Sequence, residues 1–170
     1  MQLNESSTRA VNRSYGVSDP LSVEYPALRD KELTDKLKES LRKYSVFESD
    51  TDLRHRMDVL KRINQLFTEW IKQISVSKNM PEEVAEKVGG KVCTFGSFRL
   101  GVNSQGGDID TLCIAPRHID RYDFFTSFAE LLKKQPEIKK LMVIEEAFVP
   151  VIKTEFDGIE VNIFVFFCMV

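Results

Sequence analysis

Soft metal ligands are scarce in this chain: three cysteines and two histidines among 170 residues. Cys93, Cys113 and Cys168 lack Cys-x-x-Cys spacing, and His55 and His118 stand apart from them in the sequence. That distribution argues against zinc and against a disulfide scaffold, and it reads as reduced core thiols in an intracellular protein. Long apolar runs are also lacking. The longest, Ile163 to Val170, falls short of the roughly 20 residues that span a bilayer, so no membrane association is expected. The first residues, Met1 to Ser14, are polar and do not read as a signal peptide. Asn4-Glu5-Ser6 and Asn12-Arg13-Ser14 match the glycosylation acceptor pattern, which has no meaning without secretion. There is no G-x-x-x-x-G-K-[ST], which excludes a P-loop. No charge of one sign dominates: the 24 basic and 26 acidic residues leave a net −2, so contact with a polyanion must come from a local patch.

What is present is ordinary globular material, 42% hydrophobic and 29% charged, sized for one domain. Residues 1–14 are expected to be a mobile tail and 15–170 the folded domain. From Asp30 to about Tyr44, Leu33, Leu37 and Leu41 recur every four residues and predict an amphipathic helix. A second helix is predicted from about Thr51 to Ile74, capped by Asp50 or Thr51. Its apolar stripe runs Leu53, Met57, Leu60, Ile63, Phe67, Trp70, Ile74. Trp70 reads as core. The basic run Arg54, Arg56, Lys61, Arg62 reads first as a solvated face. Pro81 to Val88 suggests a short helix, and Gly89-Gly90 turns the chain into a strand, Lys91 to Phe95. Residues 121–134 repeat apolar positions at Phe124, Phe125, Phe128, Leu131 and Leu132, a helix capped near Asp123. The lysines at 133–134 and 139–140 read as a cationic helix C-terminus. Three β-like segments follow, Leu141 to Ile144, Phe148 to Phe156, and Ile159 onward, the last two joined by an Asp157-Gly158 hairpin turn.

The chemistry concentrates between Phe95 and Cys113, F-G-S-F-R-L-G-V-N-S-Q-G-G-D-I-D-T-L-C. Side chains alternate across a strand, so Asp108 and Asp110 share one face and Ile109 takes the other. Two carboxylates on one face repel, and a divalent cation relieves the repulsion; hard oxygen ligands suit Mg²⁺ or Mn²⁺. Gly96 permits close backbone approach. Ser97 is read as the cap of a short helix whose free N–H groups favour a phosphate.

Strand, Gly-Ser, short helix, ten residues (98 to 107) and D-x-D on a strand resembles the signature of DNA polymerase beta-like nucleotidyltransferases. The wording F-G-S-F-R-L-G-V followed by G-D-I-D-T-L-C resembles the eukaryotic nuclear poly(A) polymerases. Supporting matches are Y-G-V-S-D-P at 15–20, A-P-R-H at 115–118, D-F-F at 123–125 and E-E-A-F-V-P-V-I-K at 145–153. The resemblance implies an α/β (α+β) nucleotidyltransferase fold: a mixed β-sheet flanked by helices, with N-terminal helices. It implies ATP as substrate, an RNA 3′ end as acceptor, and two-metal-ion transfer of AMP. It places Phe95, Gly96, Ser97, Ser104, Asp108, Ile109 and Asp110 at the nucleotide, Asp108 and Asp110 on the metal, and Phe148 and Lys153 near the RNA. It implies a nuclear monomer working with mRNA 3′-end processing factors.

One departure is chemical. The family's third catalytic aspartate lies within E-[IV]-D-[IL] on the strand after the D-G turn, and here that strand reads Glu160-Val161-Asn162-Ile163. Asn162 offers a neutral carbonyl oxygen without charge or basic site, and lost general-base help costs on the order of 10²–10⁴ in rate. Glu160 is read as facing the other side of the strand, unable to take over. Family members continue into a central helical domain and a C-terminal RNA-binding domain, so a truncated catalytic region with a partly uncovered last strand is expected. A non-catalytic nucleotide- or partner-binding form is the alternative. Another nucleotidyltransferase, such as a CCA-adding enzyme, fits the 115–153 matches less well.

Overall fold

A computed structural model describes Ser18 and residues 20–168. The chain divides into two units, Met1–Glu39 and Ser40–Val170. The tail expected at 1–14, residues 15–17 and 19 of the Y-G-V-S-D-P match and residues 169–170 lie outside the described residues. Helix α1 (Leu28–Arg42) begins in the first unit, where Asp30 Oδ2 accepts from the Ala27 amide at 2.8 Å. The period-four leucines do form a helix, yet Leu33 and Leu37 are exposed and no residue of α1 is buried.

The second unit is built on helix α2 (Asp50–Ser77) and a five-stranded sheet. The cap of α2 is Ser49, one residue earlier than expected. Its side chain accepts from the Asp52 amide while the Asp52 carboxylate accepts from the Ser49 amide, a closed capping box. The buried stripe of α2 is also rotated from expectation. Ile63, Phe67 and Trp70 are buried as predicted, with Val59, Leu66 and Ile71 beside them, whereas Leu53 and Met57 are exposed. Three- and four-residue spacings tolerate such a turn of the helix, and the sheet beneath decides between them.

After a short helix α3 (Glu82–Ala85) come β1 (Lys91–Phe95), α4 (Gly96–Leu100) and β2 (Ile109–Ala115). Asp120 then caps α5 (Arg121–Asp123), which continues through a π-helical turn (Phe124–Phe128) into α6 (Ala129–Lys133). Strands β3 (Ile138–Ile144), β4 (Val151–Phe156) and β5 (Ile159–Phe167) follow. Phe148 precedes β4 in a bend rather than opening the strand. The second lysine pair lies on β3, where Lys140 meets Glu155 at 3.2 Å, and not at a helix end. Asp157 and Gly158 both take positive φ, 47° and 80°, and close the β4–β5 hairpin as expected.

The strand order is β1-β2-β5-β4-β3, with β2 and β5 parallel and the other neighbours antiparallel. One face of this mixed sheet presents Ile109, Cys113, Ile152, Val161 and Ile163 to α2 and to the helices of 121–133, all in one core. Trp70 is fully inside it, 5.0 Å from the Phe128 ring centroid and 5.7 Å from Phe67. Its Nε1 donates to Ser127 Oγ at 2.8 Å. The helices of the core thus cover a single face, and the charged side chains Asp110, Lys153 and Glu160 stand on the other. Cys113 is core, and burial pushes its thiol well up. Cys93 is half-buried and Cys168 exposed, so the third thiol is not a core one. No helix among the described residues is long and apolar enough to cross a membrane.

Candidate active site

The register of the sheet assembles the site. Phe95 pairs with Asp110, Asp110 with Asn162, Asn162 with Lys153, and Lys153 with Met142. Cross-strand partners project to the same face. A single row across all five strands therefore carries Phe95, Asp110, Asn162 and Lys153 on the face away from the helical core. Ile109 is on the opposite face, wholly buried, and anchors the strand from beneath.

Asp108 stands just before β2, two residues from Asp110 and on its face. Between the two carboxylates lies Asn162. Its Nδ2 donates to Asp108 Oδ2 at 2.8 Å and to Asp110 Oδ1 at 2.9 Å. Carboxylates only accept, so the amide nitrogen must be the group that faces them. The backbone of Asn162 is held from the far side, where buried Thr111 donates its hydroxyl to the Asn162 carbonyl at 3.1 Å.

The fit to a divalent cation can be judged from this geometry. Two carboxylate oxygens converge on one point now taken by the electropositive end of an amide. An ion with ligand distances of about 2.0–2.1 Å needs the same convergence, closed by less than an ångström. Asn162 turned about its amide would offer Oδ1 as a neutral third oxygen. Among the described residues no three His, Cys, Asp or Glu side chains gather to hold a metal, so the protein supplies two charges here and not three. That suits an ion that keeps waters and shares substrate phosphates.

Gly96 meets Asp110 directly. It has φ +66°, and a Cβ built on it would lie 2.5 Å from Asp110 Oδ2. The first residue of α4 is thus pressed against the carboxylate: the close approach expected at this glycine is made by a side chain and not by backbone. Ser97 is not the helix cap. That position belongs to Phe95, which offers no side-chain acceptor, and Ser97 lies within α4. The Phe95 ring, partly exposed, packs against Phe164 at 5.4 Å. Ser104 is exposed on the loop before Asp108, its carbonyl accepting from the Gly107 amide at 2.9 Å.

A cavity of about 480 Å³ opens on this face, lined by Asp108, Glu160, Asn162, Lys153, Met142 and Lys140 among others. Glu160 is therefore on the same side as Asn162, contrary to the sequence reading. The two are two residues apart on β5, and an alternating strand returns to the same face at every second residue. Counting the period correctly would have found it. Phe148 is fully exposed and is not among the residues lining the cavity.

Residues 16–169 match the poly(A) polymerase nucleotidyltransferase domain. The chain is 42% identical over 151 residues to poly(A) polymerase PAPalpha of Candida albicans, covering 89% of this chain and 27% of that protein. It is 43% identical over 148 residues to a poly(A) polymerase of Dictyostelium discoideum, covering 87% of this chain and 18% of that one. The chain belongs to the poly(A) polymerase nucleotidyltransferase domain family. It spans about a quarter or less of the length of these family members. Solved structures share the fold. A Cid1 poly(U) polymerase mutant bound to MgATP aligns with TM-score 0.58 at 17% identity, over 79% of this chain and 38% of that one. The polymerase core of TRAMP, an RNA surveillance complex, aligns with TM-score 0.54 at 22% identity, over 78% and 36%. The nucleotidyltransferase fold expected from the F-G-S…D-I-D stretch is thus the fold observed, and the family expected from the longer wording is the family found.

Proposed function

We propose that this chain is a catalytic-domain form of poly(A) polymerase that transfers AMP from ATP to the 3′ end of an RNA in the nucleus. The observation that carries the reading is the convergence of Asp108 and Asp110 on one point of an open sheet face, with Gly96 pressed against Asp110. Asp108 and Asp110 would hold Mg²⁺ or Mn²⁺. When bound, the ion neutralises the triphosphate and lowers the cost of charge building on the transferred phosphoryl group. The chain's own residues position the reactants. The α4 backbone at Gly96 and Ser97, with Phe95 and Ser104, would serve the nucleotide side, whereas Ile109, buried on the opposite face, brings it no side chain. Lys153, in the Asp110 row, faces the cavity where a polyanion would lie. Phe148 offers an exposed ring to a base. The RNA 3′-hydroxyl attacks the α-phosphate, and pyrophosphate leaves. Proteins of mRNA 3′-end processing are the partners this activity calls for, with the chain acting as a monomer.

A second reading, a nucleotide- or partner-binding form that does not turn over, rests on Asn162, whose amide supplies neither charge nor base. One assay separates the two: incorporation of a single AMP into an oligo(A) primer with Mg²⁺ or Mn²⁺, beside Asp108→Ala and Asn162→Asp. Extension by the chain as it stands, abolished by Asp108→Ala, supports the enzyme. Extension by Asn162→Asp alone supports the second reading for the native chain. Extension by neither, with the fold intact, rejects catalysis by this form.

A further inference from the structure

A charged residue interrupts the buried stripe of α2. Arg56 is 3% exposed, seven residues before core Ile63. Its Nε donates to Glu48 Oε1 at 2.6 Å and its Nη2 reaches the same oxygen at 2.5 Å. Nη1 is buried with no hydrogen-bond partner. A buried ion pair with an unsatisfied donor is a poor stabiliser, and an apolar pair of similar volume commonly does as well or better. Its contacts point to what it holds in place.

Glu48 is bidentate between two elements. While Oε1 takes Arg56, Oε2 accepts from Nδ2 of Asn103, on the loop that runs into Asp108. The same short segment grips that loop a second time, where the Val46 carbonyl accepts from the Gln105 amide at 2.9 Å. On its other side the Arg56 guanidinium lies over the Phe98 ring, 6.0 Å from its centroid, and Phe98 belongs to α4, whose first residue abuts Asp110. One buried arginine thus touches, directly or through Glu48, both backbone segments that flank the aspartates.

We infer that Arg56 and Glu48 are positioning residues for the candidate site, fixing the 103–107 loop, and with it Asp108, against α4. The function assigned to the site rests on the reading above; the positioning does not. The test is amide hydrogen exchange on the whole chain, native against the double variant Arg56→Met/Glu48→Leu, which removes both charges together and keeps the volume. Exchange in peptides covering 101–108 is expected to rise about tenfold while β4 and β5 stay as they are, as for a locally opened segment. Unchanged exchange at 101–108, or an equal rise throughout the sheet, overturns the inference. Asn103→Ala cuts the same link from the half-buried loop side and decides the matter by the same criterion if the double variant does not fold. MgATP affinity is measured in parallel and is expected to fall about tenfold with the loosened loop. Loosening of the loop in a chain that binds no nucleotide, native or variant, counts against the proposed function and leaves the positioning role standing.

Discussion

Asp110 lies directly across the parallel β2–β5 ladder from Asn162 and accepts a hydrogen bond from its amide at 2.9 Å. With the matching bond to Asp108 at 2.8 Å, one neutral side chain satisfies two carboxylates that would otherwise repel. The chain as it stands therefore needs no cation to hold its site together. Asn162→Asp replaces two donors by a third negative charge. Without divalent metal this variant is expected to be less stable by about 1–3 kcal/mol, as for lost charge-assisted bonds. With Mg²⁺ or Mn²⁺ it is expected to regain that loss, because the ion binds the folded state. Melting temperatures with and without metal check this. Equal metal effects on the native chain and on the variant would show that the amide is not standing in for a cation.

The link between α2 and the loop after β2 responds to pH. His118 Nε2 and Ser75 Oγ lie 2.7 Å apart, and Ser75 is wholly buried. Burial, then the Lys78 ammonium, holds the imidazole below its usual 6.5, with Asp123 pulling the other way. The unfolded chain then binds the proton more readily than the folded one. Stability is full above 6.5 and falls as pH drops below that toward the lower folded value. The neighbouring Asp120, lowered from 3.8 chiefly by its hydrogen bond from the Asp123 amide, titrates well beneath this window. Melting of the native chain is expected to weaken between pH 7.5 and 5.5, and His118→Gln to flatten that dependence. An identical slope in both proteins would locate the acid sensitivity elsewhere.

The indole of Trp70 is a polar group sealed in an aromatic core. Ser127 Oγ accepts from it at 2.8 Å and donates its own O–H to the Asp123 carbonyl at 2.9 Å. Ser127→Ala leaves the indole N–H without a partner and is expected to cost about 1–3 kcal/mol, with a blue-shifted emission from this sole tryptophan. Urea unfolding followed by fluorescence measures both. A loss below a few tenths of a kcal/mol would mean that another acceptor has replaced the hydroxyl.

How much of this was legible in the sequence depends on the range of the interaction. Local signals held: the Asp108/Asp110 alternation, the Asp157-Gly158 turn, the core role of Trp70; at Gly96 a close approach was expected, but its partner, the Asp110 carboxylate, was not. Helix existence was readable, whereas which face of α2 is buried was not, because Leu53 and Met57 fit the period as well as Val59 and Leu66 do. The row from Phe95 to Met142 was beyond reach. Register is set by pairing between strands distant in sequence, and a slip of one residue would send Lys153 to the helical core instead. The Arg56–Glu48 pair was invisible for a related reason: a basic residue on a helix is usually solvated, and only the packed structure shows this one 3% exposed.

Two glycines of nearly equal backbone conformation test the contact at Asp110. Gly96 has φ +66° and Gly101 has φ +70°. Alanine at either position meets the left-handed penalty of roughly 1–2 kcal/mol. Only at Gly96 does the added methyl strike something, Asp110 Oδ2 at 2.5 Å, while nothing lies within 4 Å at Gly101. The stability losses of Gly101→Ala and Gly96→Ala are therefore expected to differ by the cost of moving one carboxylate. Their effects on the site are expected to diverge far more. Gly96→Ala should weaken Mn²⁺ or MgATP binding by about tenfold or more, since ligand geometry must be held to a fraction of an ångström. Gly101→Ala should leave binding near native. Isothermal titration on both variants beside their melting curves makes the comparison. Equal loss of affinity in the two would place the cause in helix α4 as a whole and not in the approach of Gly96 to Asp110.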